Sequence, residues 1–186
     1  MISHRQHLYD FLMSRSDSLG NAQAMACMLA TQYSGGGTMP LQLGLEAKEF
    51  ALMMDAHFPS VSLPAGIPFP RPPVDPRLLE EKDELQKLLL MHRAGQTASE
   101  VWMSEIVATG CMAGNHLWED LGLWSRSDLT ALMERNFPQL AAKNERNMRW
   151  KKFLYKQLCL QEGIYLCRAP SCEVCADYAL CFSPEE

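Results

Sequence analysis

The chain has 186 residues, 47% of them hydrophobic, and a net charge of −5. That is length enough for one domain with a real core, and apolar content enough to exclude wholesale disorder. The acidic balance argues against a nucleic-acid binder, which needs a broad basic surface, and no apolar run reaches the length that spans a bilayer. The opening Met1 to Gln6 leads into no apolar signal core, so a cytoplasmic protein is expected. Helical apolar spacing runs from His7 to Met13 and from Asn21 to Gln32, and Ser34-Gly35-Gly36-Gly37 ends the second run. A third helix is expected over Glu46 to His57, stopped before Pro59.

Seven of the eleven prolines fall between Pro59 and Pro76. Proline lacks an N–H and fixes its own φ, so this stretch reads as a long extended surface connection, either a domain linker or, as preferred here, a strap packed on one helical body. Leu78 to His92 follows as an amphipathic helix. Leu85, Leu88, Leu89 and His92 share one face, and Glu80, Glu81, Asp83 and Glu84 crowd the positive end of its dipole. Ser99 to Met112 is apolar nearly all round and belongs at the centre of a core. Gly114-Asn115 breaks it ahead of a short segment, His116 to Leu121. Ser127 is the expected cap of a helix to Asn136, which Phe137-Pro138 interrupts. A last helix is expected over Asn144 to Gln161, ended by Gly163. No strand pattern and no repeat is present, so the fold class is all-α. Residues 1–165 read as one helical domain, with the strap at 59–76, and 166–186 as a C-terminal cysteine-rich loop.

That loop carries the chemistry. Cys167, Cys172, Cys175 and Cys181 fall within fifteen residues, spaced C-x4-C-x2-C-x5-C. Reducing cytosol disfavours disulfides, so clustered thiols there point to metal binding or redox work. Cys172-x2-Cys175 presents two sulfurs from one tight turn, and the flanking gaps are short enough to fold Cys167 and Cys181 onto the same centre. The metal itself is expected to order residues 166–182. On spacing alone a structural zinc loop and an iron–sulfur cluster both remain open. A plant-type ferredoxin shares C-x4-C-x2-C, but its fourth cysteine is remote, whereas Cys181 is local. The other three cysteines, Cys27, Cys111 and Cys159, lie in apolar helical stretches and read as small hydrophobes.

The flanking residues add a resemblance. The run Met148-Arg-Trp-Lys-Lys-Phe-Leu-Tyr-Lys-Gln-Leu-Cys159, then Glu162-Gly163, then Cys167 to Phe182 with its four cysteines, resembles the NifQ family of nitrogen-fixation proteins. So do His116-Leu-Trp-Glu-Asp-Leu-Gly-Leu123, Leu43-Gly44-Leu45, the His57-Phe58-Pro59 stop and the acidic helix near Asp83. The likeness covers roughly residues 40 to 182 and is most specific over the last forty. It implies an iron–sulfur molybdoprotein that carries molybdenum and donates it for assembly of the nitrogenase iron–molybdenum cofactor. Cys167, Cys172, Cys175 and Cys181 would then ligate a molybdenum–iron–sulfur or four-iron four-sulfur cluster. Its transient partners would be molybdate, the cofactor scaffold complex and the nitrogenase iron protein, with no nucleic acid and no membrane. No hydrolase, zinc-protease, P-loop or dinucleotide motif is present, and a carrier rather than an enzyme is expected. The competing expectations are a helical adaptor with a structural zinc loop and an electron-transfer protein with a four-iron cluster.

A molybdenum corner needs O or N donors beyond one thiolate. His116 is the first candidate, set after the Gly-Asn break; its other reading is a histidine hydrogen-bonded at a helix start. His57 and His92 read as structural, and Glu119 and Asp120 as solvated acids. Arg149, Lys152 and Lys156 share one face at i, i+3, i+7 spacing. They form either a solvated face or a basic one that attracts anions to the loop. Trp150 and Phe153 belong to the core.

Overall fold

The computed structural model describes residues 4–17, 20–63 and 76–161. Among them the backbone forms nine α-helices and one 3-10 turn, and no strand. They are α1 (His4–Ser14), α2 (Ala22–Tyr33), the turn Leu41–Gly44, α3 (Ala47–His57), α4 (Pro76–Met91), α5 (Ser99–Cys111), α6 (Leu117–Asp120), α7 (Arg126–Asn136), α8 (Pro138–Ala141) and α9 (Trp150–Gln161). Most of the proline strap, 64–75, and the cysteine loop, 166–186, lie outside the described residues, as does Gly163.

The two helices that are apolar nearly all round are the two at the centre. Helix α2 buries every residue from Met25 to Thr31, and α5 buries Met103, Ser104, Ile106, Val107, Ala108, Gly110 and Cys111. Helix α1 lies along α2, α4 along α5, and α9 against α4. The amphipathic α4 turns Leu85, Leu88 and Leu89 inward, each at most 1% exposed. Each such side chain contributes roughly 1.5–3 kcal/mol by leaving water. Val61 and Leu63, the described start of the strap, lie against this core.

Two Phe-Pro pairs stop helices in the same way. Phe58 and Phe137 cap α3 and α7 with φ of −137° and −134°. The following proline disfavours helical geometry at the residue before it, and both rings are fully buried at the resulting corner. Pro138 then opens α8 from its first position, where no N–H is needed.

Two expected helix starts move. Helix α7 is capped by Ser125, whose hydroxyl accepts from Asp128 N–H, and not by Ser127, which bonds the Ser125 hydroxyl instead. Helix α9 starts at Trp150 rather than Asn144. The Asn144 side chain bonds both the N–H and the carbonyl of Met148, and Asn147 sits at φ +50°. That local loop satisfies the backbone in place of a helical turn.

The Leu41–Gly44 turn holds Gln42, Leu43 and Gly44 at φ of +59°, +56° and +85°. Left-handed backbone is unfavourable for residues with a Cβ; burial of Leu43 and Leu45 offsets that strain. At Gly44 an added Cβ would also stand 2.7 Å from Cγ2 of Thr109 on α5. Gly44→Ala should therefore lower stability by roughly 2 kcal/mol, read as a shift of the urea midpoint at unchanged slope.

A buried polar junction ties four elements. Asn21 Nδ2 donates to the Ser99 hydroxyl at 2.9 Å and to Asn136 Oδ1 at 2.6 Å, and Asn136 Nδ2 returns a bond to Asn21 Oδ1 at 2.9 Å. His57 completes it, with Nδ1 2.9 Å from the Met53 carbonyl and Nε2 2.9 Å from the Ser99 hydroxyl. A carbonyl only accepts, so Nδ1 carries the proton and Ser99 donates to Nε2. Burial lowers the His57 pKa, against the opposing pull of the Met53 carbonyl.

Candidate metal centre

Cys167, Cys172, Cys175 and Cys181 lie outside the described residues, beyond the end of α9. Among the described residues no three His, Cys, Asp or Glu side chains converge to hold a metal ion. Two of the remaining cysteines behave as hydrophobes. Burial raises the thiols of Cys27 and Cys111 to about 12, which keeps them protonated at neutral pH. Cys159, on α9, is half-buried rather than fully so.

The structure places His116 at the N-cap of α6, with φ −63° and ψ 144°. The Glu119 carboxylate accepts from the His116 N–H at 3.2 Å, as in a capping box. Glu119 is exposed, as expected of an acid on a short helix. Asp120 is the correction: it is fully buried. Its carboxylate accepts from the Thr38 hydroxyl at 2.8 Å and from Asn115 N–H and Nδ2 at 3.0 Å each. It also forms an ion pair with the Lys151 ammonium on α9. Lys151 donates in turn to the Ala113 carbonyl at 2.7 Å. The break between α5 and α6 is thus clamped on both sides, immediately before His116.

Sequence reasoning missed this clamp. One signal was available: Leu117, Asp120 and Leu121 follow i, i+3, i+4 spacing, which puts Asp120 on the apolar face. Lys151 offers no local signal, because its partner is thirty-one positions away. The other residues weighed from sequence fall elsewhere. His57 and His92 are structural: His92 is half-buried, with Nδ1 2.9 Å from the Leu88 carbonyl and Nε2 3.2 Å from Lys143 Nζ. On the expected basic face Lys156 is exposed, Lys152 is half-buried, and Arg149 precedes α9. Trp150 and Phe153 are buried and pack edge to face at 5.7 Å.

A second ionisable contact joins α9 to α4. The Tyr155 hydroxyl donates to Glu81 Oε1, while Oε2 is buried without a partner. Burial raises the Glu81 carboxyl to about 7. A carboxyl that holds its proton more tightly when folded contributes stability below about pH 4.5, and that contribution is lost as pH rises through 7. Glu81→Gln should therefore flatten the stability profile between these limits and stabilise the protein at pH 8 by about 2 kcal/mol, measured by urea unfolding at both ends.

Comparison with known proteins extends these observations. A family model described as NifQ matches residues 24–183, a span that includes all four clustered cysteines. The chain is 44% identical over 168 residues to protein NifQ of Azotobacter vinelandii, covering 85% of this chain and 86% of that one. It is 38% identical over 168 residues to protein NifQ of Rhodobacter capsulatus, covering 88% and 91%. It is 39% identical over 153 residues to protein NifQ of Klebsiella pneumoniae, covering 81% and 91%. No solved structure matches the chain with significance. A family match across most of the chain, with relatives aligned over nearly their whole length, means that this all-helical chain belongs to the NifQ family, whose members are implicated in nitrogen fixation.

Proposed function

We propose that this protein is a molybdenum carrier, binding the metal on a thiolate-held iron–sulfur cluster and donating it for assembly of the nitrogenase iron–molybdenum cofactor. The C-x4-C-x2-C-x5-C cluster inside the family match carries this reading. Four thiolates within fifteen residues are a soft, compact donor set that suits an iron–sulfur cluster. When bound, the cluster supplies sulfide bridges on which a molybdenum ion can be captured and from which it can be released. Cys167, Cys172, Cys175 and Cys181 would hold it, one thiolate to each metal corner, with His116 as the additional donor for molybdenum. Molybdenum itself is cargo.

Chain length permits that additional contact. Lys151, beside the His116 break, and Gln161, the end of α9, are ten residues apart, or about 15 Å of helix. Cys167 lies six residues further, and six residues span up to about 20 Å. A thiolate can therefore return to the His116 end of α9. Release to the cofactor scaffold complex and the nitrogenase iron protein would be transient, in the cytoplasm, with the protein acting as a carrier and not a catalyst.

Anaerobic purification followed by metal quantification tests the proposal. Iron with molybdenum in a brown protein is the expected result. Zinc in a colourless protein would sink it, and iron that takes up no molybdenum after molybdate loading would move the protein to electron transfer.

A further inference from the structure

Two acids bond to α9, and they are held very differently. Asp120 is fully buried and accepts four bonds, one of them from the Lys151 ammonium. A carboxylate away from water needs partners of that kind to stay charged. Glu81 of α4 has a single bond, from the Tyr155 hydroxyl to Oε1, and its Oε2 is buried without a partner. Among the described residues no cation bonds it. On α4 itself Lys82 pairs with Glu105 of α5, Lys87 pairs with Glu84, and Glu80 and Asp83 are further acids. From α5, Cys111 meets the Glu81 charge with a thiol that stays protonated. From α9, Lys151 is committed to Asp120 and the Ala113 carbonyl, Lys152 has contacts of its own, and Lys156 is exposed. The contact therefore suits a neutral Glu81 and opposes an ionised one, and burial accordingly raises its carboxyl to about 7.

The position of this contact on α9 gives it leverage. The buried residues of α9 are Trp150, Phe153, Leu154 and Tyr155, all in its first half. Beyond them Lys156, Leu160 and Gln161 are exposed. Lys151 pins the first turn through bonds that do not involve Glu81. We infer that the Glu81–Tyr155 contact is a proton-controlled latch: a protonated Glu81 holds the second half of α9 on α4, and an ionised Glu81 lets that half open while Lys151 keeps the first turn in place. The proton leaves to solvent, and opening brings the carboxylate to water. Turning Glu81 outward alone would leave the Tyr155 hydroxyl buried without its acceptor. Because the closed form holds the proton more tightly, opening is least below about pH 4.5 and rises until the pH has passed 7. The inference stands apart from the carrier reading, since it uses no metal and no residue beyond α9.

Native-state hydrogen exchange of the full chain at pH 6 and pH 8, corrected for the intrinsic rate at each pH, tests the latch. Amides of residues 155–161 report on it, and those of the central helix α2 serve as the internal reference. In wild type the protection of 155–161 relative to α2 should fall about tenfold between the two pH values. Glu81→Gln keeps the shape of the side chain but cannot ionise, and its ratio should not change with pH. Tyr155→Phe removes the hydroxyl and should open 155–161 about fivefold more than wild type already at pH 6. If Glu81→Gln fails to fold by far-UV dichroism, the wild-type profile and Tyr155→Phe still decide. A wild-type ratio that does not move with pH would overturn the inference, because Glu81 would then reach water without moving α9. Protection lost equally in α2 and α9 would overturn it too, since the proton would then act on the whole fold. So would an unaltered pH dependence in Glu81→Gln, or wild-type protection in Tyr155→Phe at pH 6.

Discussion

Replacing Cys172 with serine is expected to abolish cluster loading, with bound iron and molybdenum each falling more than tenfold, while the helical far-UV signal changes by no more than a few per cent. The size of the first effect follows from chelation. Cys172 and Cys175 form the tight unit of the cluster motif, and a hydroxyl is a hard, weakly acidic donor where a soft thiolate is needed. The absence of the second effect follows from where the core sits. The buried residues of α2, α4, α5, α7 and α9 form a continuous apolar cluster among the described residues. Anaerobic iron and molybdenum quantification beside circular dichroism reads both. Collapse of the helical signal together with the metal would mean that the metal holds the whole fold, as a structural zinc would in a small module. Cys111→Ser is the matched control. That thiol is fully buried on α5 and held protonated, so the change should lower stability and leave the metal content per folded molecule unaltered.

The proposed ligands and the scaffold rest on sequence signals of different kinds. The proposed ligation by Cys167, Cys172, Cys175 and Cys181 rests on local spacing, because a chelate closed within fifteen residues would need little from the rest of the chain. The helices were legible for a related reason. Periodic apolar residues mark α2, α4 and α5, and proline marks the corners at Phe58 and Phe137, where the reason for the break is local too. What depends on distant contacts was not legible. Asn144 to Arg149 passes for the first turn of a helix until the Asn144 side chain is seen closing on Met148. Gln42 and Leu43 give no warning of positive φ, because their left-handed conformation is imposed by burial of Leu43 and Leu45 beside α5. Asp120 was misread because residue type outweighed spacing: an acid on a short helix is usually solvated, and here the donors that bury it come from Thr38 and Lys151, eighty-two positions before it and thirty-one after it.

Asp120→Ala is expected to lower stability by about 3 kcal/mol, because it strands several groups at once. The Lys151 ammonium, only 17% exposed, keeps the Ala113 carbonyl but loses its counter-charge. The Asn115 amide and the Thr38 hydroxyl lose their acceptor at the same corner. Urea unfolding should show the loss as a lower midpoint at unchanged slope. Asp120→Asn should cost less, since one acceptor oxygen remains, although its amide NH2 then faces other donors. Removing both charges in Asp120→Leu with Lys151→Met should recover most of the lost stability, because an apolar pair of similar volume pays no desolvation cost. Recovery of stability in the double variant tests whether the unpaired ammonium is the source of the loss; a double variant as unstable as the single one would place the loss in packing around α6 instead. The same double variant separates stability from geometry. A corner refilled with apolar side chains is folded but no longer fixes residues 113 to 116 through directed bonds. It should therefore unfold near the wild-type midpoint, while the backbone amides of residues 113 to 116 exchange with solvent faster than in wild type.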